Sequence, residues 1–316
     1  MGPARSIYCP AMPADSPPSP SPSRPSRGLS ANAVAARLRK LARAEEAPWL
    51  HSEVARRMAE RLPIIKLQPA TVIDWWGFLG HSAEVLQTAY PKARRIVVEP
   101  TEALAERSRQ AAAKPWWQRL RGASVDVIGE SQVEPASAQL VWANMMLQAS
   151  DDPPRVMADW HRATAVGGFV MFSCLGPDTV RELRTLYRQL GWPPPGADFV
   201  DMHDFGDMMV QAGFADPVMD QETLTLTWDS PQALIAELRG MGGNVSPSRF
   251  QGLRTPRWRR RLEEALATLI GPDGRLRLTF EIAYGHAFKA APRHKVGGET
   301  VVPLDDLRAM VRSPRR

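Results

Sequence analysis

One stretch limits the folds open to this chain more than any other: Ala70–Pro100, reading ATVIDWWGFLGHSAEVLQTAYPKARRIVVEP. Thr71-Val72-Ile73-Asp74 is a short β-branched run, the composition of a strand, and it ends on a carboxylate. Gly77 and Gly80 follow at once, and then an amphipathic segment, His81–Tyr90. Arg95-Ile96-Val97-Val98 is a second apolar run, closed by Glu99-Pro100. Strand, glycine turn, helix and parallel strand in this order predict a βαβ unit of the kind that binds a dinucleotide or a nucleoside.

The chemistry follows from what such a unit offers. The turn brings backbone close to a ligand, and an acid at the second strand tip can accept both ribose hydroxyls. Asp74, Gly77, Gly80 and Glu99 are therefore the candidate cofactor residues. Two reactions share the layout: hydride transfer with a nicotinamide cofactor, and methyl transfer from S-adenosylmethionine. A methyl-transfer turn of the form D-x-G-x-G-x-G has glycine where this chain carries Trp76 and Phe78; only Gly80 is in register, and Gly77 is one position off. Glycine serves there because it adopts dihedrals closed to other residues and leaves room for the ligand. Two bulky rings in its place either fill that room or stack on part of the ligand.

Length sets the scale: 316 residues accommodate one α/β domain with additions or two smaller domains. The formal charge of +6 suits an acidic partner, a nucleic acid or an acidic carrier protein. Much of the excess sits in the tails and in Arg257-Trp258-Arg259-Arg260-Arg261, the pattern of a solvated helix face. Cys9 and Cys174, far apart, imply neither a disulfide framework nor a zinc site, and a reducing cytoplasm fits. No apolar run reaches the ~18 residues of a membrane span, and the N-terminus has no apolar signal core. Residues 1–29, rich in Pro and Ser, are expected to be disordered, as is the tail from Ala291 to Arg316. The body between them, residues 30–290, is expected to be one domain.

Within that body, Ser30–Leu62 has helical spacing broken at Pro48. Helices are also predicted at Glu102–Gln118, Arg155–Thr164, Leu175–Leu190, Asp204–Ala212, Pro231–Gly240 and Trp258–Ile270. Further strands are predicted at Ser124–Ile128, Gln139–Ala143, Phe169–Ser173, Pro217–Trp228 and Leu276–Phe288. Trp116 and Trp117 read as core, lid or partner surface. In an open parallel sheet the ligand lies beyond the carboxyl ends of the strands. That rule adds Glu130, after the third strand, as an acceptor for an adenine amino group, and Asn144, after the fourth, whose amide can meet methyl donor or acceptor.

Laid out in this way, the chain resembles the class I S-adenosylmethionine-dependent methyltransferases, and within them the malonyl-[acyl-carrier protein] O-methyltransferases of biotin synthesis. The resemblance covers Pro48–Phe288. It rests on Trp49-Leu50 with EVARRMAERLPIIKLQP, on NMMLQ from Asn144, and on GGFVMFSCLGPDTVRELR from Gly167. DMHDFGDMMVQAGFADPVMD from Asp201 and LTFEIAYGHAFK from Leu278 complete it. The sequence departs from the family at Trp76 and Phe78, and at Gln139, where the fourth strand usually carries an acid. The helix before Trp49 is also shortened and lacks an aromatic often found near the cleft.

The resemblance implies a Rossmann-like α/β fold: a central, mostly parallel seven-stranded sheet with helices on both faces. It implies S-adenosylmethionine as cofactor and methyl transfer to the free carboxylate of a malonyl thioester on acyl carrier protein, by a monomer or weak dimer in the cytoplasm, with neither nucleic acid nor membrane as partner. No catalytic residue is needed, because a carboxylate is ionised at neutral pH. A cation should hold it, with Arg184 the first candidate and His203 the second. The basic run Arg257–Arg261 is a candidate dock for the carrier protein. A second class of reading keeps the fold without catalysis, as a binder of a carrier protein or an enzyme; Trp76 and Phe78 speak for it. A nucleic-acid methyltransferase is suggested only by the basic balance, and no base-holding N-P-P-[YF] motif follows the fourth strand.

Overall fold

The computed structural model describes residues 28–113 and 124–291. The expectations for the Pro/Ser-rich segment 1–27, for Trp116 and Trp117, and for the tail from residue 292 lie outside the described residues.

Two helices come first, α1 (Ala31–Ala42) and α2 (Trp49–Ala59), separated where Pro48 interrupts the periodicity. Alternation then begins. Strand β1 (Thr71–Trp75) leads through a single helical turn, α3 (Gly77–Gly80), and α4 (Ala83–Ala89) to β2 (Arg94–Glu99). Next are α5 (Glu102–Ala112), β3 (Val125–Gly129), β4 (Ala138–Asn144), α6 (Pro153–Ala163) and β5 (Thr164–Leu175). The chain closes with α7 (Arg181–Gln189), α8 (Met202–Gln211), β6 (Ala215–Trp228), α9 (Pro231–Gly240), α10 (Pro256–Ala267) and β7 (Leu276–Phe288).

All seven strands form one sheet in the order β3-β2-β1-β4-β5-β7-β6. β1 to β5 are parallel, and β7 runs antiparallel between β5 and β6. Helices cover both faces, so the central strands are apolar on both sides. On β4, Leu140 and Trp142 face one core with Phe169, Met171, Met58 and Leu262. The alternate residues, Val141 and Ala143, face the other core with Ile73, Trp160 and Phe172. This is the two-residue period of a strand. The edge strand β6 alternates partly buried with exposed positions, as an edge does.

Several predicted boundaries moved, and β5 begins at Thr164 rather than at Phe169. The sequence around Leu175 reads as the start of a helix, yet β5 runs through Leu175 and α7 begins only at Arg181. β7 accounts for this: it pairs Leu175 with Ile282, and Gly176 passes so close to Glu281 that a Cβ there would lie 2.6 Å from its carboxyl carbon. Helix α10 starts at Pro256, two residues before Trp258, because the Thr255 side chain accepts from Trp258 N and proline is favoured in a first turn.

Candidate active site

The strand order reverses direction between β1 and β4, and the cleft over such a point is where open α/β sheets bind ligands. A cavity of about 570 Å³ lies there, within the ~300–1,000 Å³ usual for small-molecule sites. Trp75 of β1 with the following Trp76, Glu99 of β2, and Gly129 of β3 with the following Glu130 wall it, with Val34 and Leu38 of α1 above. Six carboxylates line it against two guanidinium groups, Arg155 and Arg162, so the cavity favours a cationic ligand.

Glu99 is 2% exposed. Its Oε1 accepts from Phe78 N at 2.7 Å and from Ser108 Oγ at 2.6 Å. Its Oε2 is buried without a partner. Burial pushes this carboxyl up to about 7, with Ser108 and Phe78 N–H opposing and the charges of Asp74 and Glu130 adding to the rise. A buried acceptor lacking a donor fits a hydroxyl-bearing ligand such as a ribose.

Glu130 is already engaged. Its Oε1 accepts from Trp76 Nε1 at 2.7 Å and from Trp75 Nε1 at 3.3 Å. Trp76 has φ 56° and ψ 46°, the left-handed region that favours glycine. The backbone thus keeps the conformation of the glycine position while the side chain stands in the cavity wall. Phe78 goes elsewhere. It lines a separate cavity of about 230 Å³ with Asp74, Gly77 and Arg95, and Arg107 lies over its ring at 4.7 Å.

The other candidate residues are spread around this cleft. Asp74 is 1% exposed, and burial raises its carboxyl to about 6, with Arg95 opposing. It walls the smaller cavity. Gly77 makes room for it: a Cβ there would sit 2.7 Å from Asp74 Oδ2 and 2.8 Å from Val97 Cγ1. Gly80 lies under Asn144, where an added Cβ would make ordinary contacts of 3.5 Å. Asn144 donates through Nδ2 to His51 O at 2.7 Å and to Gly80 O at 2.6 Å, and its Oδ1 accepts from Ser173 Oγ at 2.6 Å. Its amide ties α2, α3 and β5 together.

Arg184 and His203 have partners of their own. The Arg184 guanidinium donates to Ala197 O at 2.6 Å, Thr179 O at 3.2 Å and Asp198 Oδ1 at 3.1 Å, and only 15% of its side chain is exposed. His203 is an exposed first-turn residue of α8 whose Nδ1 lies 2.7 Å from Asp201 Oδ1. Gln139, at the foot of β4, accepts from Thr71 N at 2.9 Å. Sequence reasoning missed the wall supplied by α6. Asp152 caps that helix, and Arg155, Asp159 and Arg162 line the cavity at the spacing of one helical face, a signal present in the sequence. Among the described residues no cluster of side chains suits a metal, and no helix is long and apolar enough to cross a membrane.

The sheet order, the doubly covered core and a cleft over the β1/β4 tips define the Rossmann-like class I methyltransferase fold. The YcgJ protein of Bacillus subtilis shares it, with a TM-score of 0.51 at 13% identity over 76% of this chain and all of that one. No family model matches the sequence. Curated relatives do. A malonyl-[acyl-carrier protein] O-methyltransferase of Gallionella capsiferriformans is 38% identical over 260 residues, 80% of this chain and 88% of that protein. One of Laribacter hongkongensis is 36% identical over 80% of this chain and 87% of its own length. The chain belongs to the malonyl-[acyl-carrier protein] O-methyltransferase family.

Proposed function

We propose that this chain uses S-adenosylmethionine to methylate the free carboxylate of a malonyl thioester carried by acyl carrier protein, in the cytoplasm. The observation that carries the reading is the buried, unpartnered Oε2 of Glu99 on the wall of an acid-lined cavity, in a chain of this family. S-adenosylmethionine, when bound, supplies a methyl group already activated by sulfonium. Glu99 holds the ribose hydroxyls. Glu130, shared with the two indoles, borders the adenine. The carboxylates around the cavity favour a cationic donor over its neutral product, which assists turnover. Asp74, Gly77, Gly80 and Asn144 shape the β1 turn and the β4 tip on which the reactants rest, without touching the ligand at the Glu99 end.

The acceptor carboxylate is ionised at neutral pH and needs no base. The protein's task is to align it with the methyl group and to exclude water. Arg184 and His203 remain on the acceptor side as residues that shape the 197–203 segment.

The test is incubation of the purified protein with S-adenosylmethionine and malonyl-[acyl-carrier protein], with mass spectrometry of the carrier. Gain of one methyl group on the malonyl moiety is expected. Binding of the carrier without methylation, or of neither reactant, would overturn the assignment in favour of a protein that keeps the fold for docking alone.

A further inference from the structure

A second cavity, of about 470 Å³, lies between α7, α9 and α10. Leu183 and Tyr187 of α7, Ile235 and Leu238 of α9, and Leu262 and Leu266 of α10 give it apolar walls. It shares no lining residue with the acid-walled cavity over β1 and β4. Its charge is also opposite: Arg239, Arg254 and Arg259 line it, and no carboxylate does. Arg259 is engaged by Glu263 at 2.8 Å. Methyl transfer as described above makes no use of this cavity.

Arg254 is the cation that the wall holds in place without neutralising. Its guanidinium carbon lies 3.9 Å from the centre of the Phe250 ring and 4.2 Å from that of Trp258, so two aromatic faces fix it. Among the described residues no carboxylate pairs with it and no acceptor takes its N–H groups. A stacked guanidinium keeps the donors on its edge free for an anion. Its charge is felt across the cavity wall: burial pushes the Tyr187 phenol up to about 12, and Arg254 opposes that rise. Trp192 braces the wall, 5.4 Å from Trp258 and 5.2 Å from Tyr187 between ring centres. The indole Nε1 of Trp258 is shut off from solvent and has no acceptor. The wall beside Arg254 is thus aromatic, cationic and short of acceptors.

Protein interiors close up to the density of organic crystals, and a cavity of this volume has the size of a small-molecule site. Leucine and isoleucine walls take an aliphatic chain, and an unpaired guanidinium takes an anionic head. No lining carboxylate repels such a head. We propose that this cavity binds an amphipathic anion, an apolar chain or stem ended by a carboxylate or a phosphate, with Arg254 on the head group. Two sources share that chemistry: a free fatty acid, and the phosphate-bearing pantetheine arm on which acyl carriers hold their thioesters. The inference goes beyond the methyl-transfer reading and does not depend on it.

Calorimetric titration of the whole protein tests it with two anions and their neutral counterparts: octanoate against 1-octanol, and 4′-phosphopantetheine against pantetheine. In wild type one anion should bind about 10- to 100-fold more tightly than its counterpart, the span of a charge-assisted hydrogen bond. Octanoate in that place marks a fatty acid, and 4′-phosphopantetheine marks the carrier arm. Arg254→Met keeps the stem and removes the charge, so it should bring that anion to within about threefold of its counterpart. Arg254→Lys should recover part of the loss, as a point charge without the fork. S-adenosylhomocysteine should bind Arg254→Met as it binds wild type, because the two cavities share no residue, and this also shows the variant to be folded. If neither anion outbinds its counterpart in wild type, or if the preference survives in Arg254→Met, the proposal is overturned and the methyl-transfer reading stands. Failure of wild type to bind S-adenosylhomocysteine would count against that reading alone.

Discussion

Trp76 is held in a conformation that costs a residue with a Cβ about 1 kcal/mol relative to glycine. Against this stand a nearly buried indole and its hydrogen bond to Glu130. Trp76→Gly should therefore lower stability, by on the order of 2 kcal/mol once the relieved strain is set against the lost packing. It should also tighten S-adenosylhomocysteine binding, because Glu130 is freed and the cavity widens; weaker binding in titration would instead make the indole part of the ligand's own wall. Glu99 predicts a pH dependence. Its carboxyl sits near 7 in the folded chain against an ordinary 4.5, so the native state holds a proton that the unfolded chain has released between those values. The stabilisation is complete below about 4.5 and is lost as pH rises through 7. Glu99→Gln should flatten that fall in melting temperature between pH 5 and 8, within the rough window set by linkage. In wild type, ribose hydroxyls favour the ionised carboxylate, so nucleoside affinity should climb across neutrality. These features were half legible. The acid at the second strand tip is visible in the sequence, but the indole bonds to Glu130 join residues more than fifty positions apart and leave no local pattern.

At the scale of elements, the tip of β4 is the joint of the site. Asn144 donates to carbonyls on α2 and α3 and accepts from Ser173 on β5, all of them buried. Asn144→Ala strands those groups, and the cost should be on the order of 2–4 kcal/mol in urea denaturation. Asn144→Asp should cost more, since it sets a buried carboxylate against two carbonyl oxygens; a change within 0.5 kcal/mol, the rough scale of a surface substitution, would show the network to be dispensable. The elements themselves were readable from periodicity: β-branched runs gave the central strands, and α9 and β7 lie where alternation and capping put them. The α7 boundary was not readable. Residues 176–180 are held against β7 by the backbone bonds of Gly176 N to Glu281 O and Val180 N to Thr279 O, and by bonds of Asp178 N and the Thr179 side chain to Glu281, all of them contacts with residues far along the chain.

For the molecule as a whole, charge is divided. The chain carries +6, yet the cavity over the strand tips is acidic. Part of the positive excess lies on α10, where Arg259 is paired with Glu263 at 2.8 Å and Arg261 lies 5.5 Å from the Trp192 ring, while Arg257 and Arg260 are exposed. If this face steers an acidic carrier protein, Arg257→Glu with Arg260→Glu should raise KM for malonyl-[acyl-carrier protein] about tenfold at low ionic strength. The effect should shrink in added salt and vanish for a small malonyl thioester; an equal rise for both substrates would place the defect elsewhere. Hydrophobic period and glycine placement suffice to specify a doubly wound sheet, because they act between residues close in the chain and each strand must bury both faces. The sheet's strand tips, and hence Glu99, follow from the same local rules. Which polar atoms are spent and which stay open is a long-range outcome. Folding engaged Asn144, Arg184 and Glu130 with partners from other segments, and left Glu99 Oε2 without one.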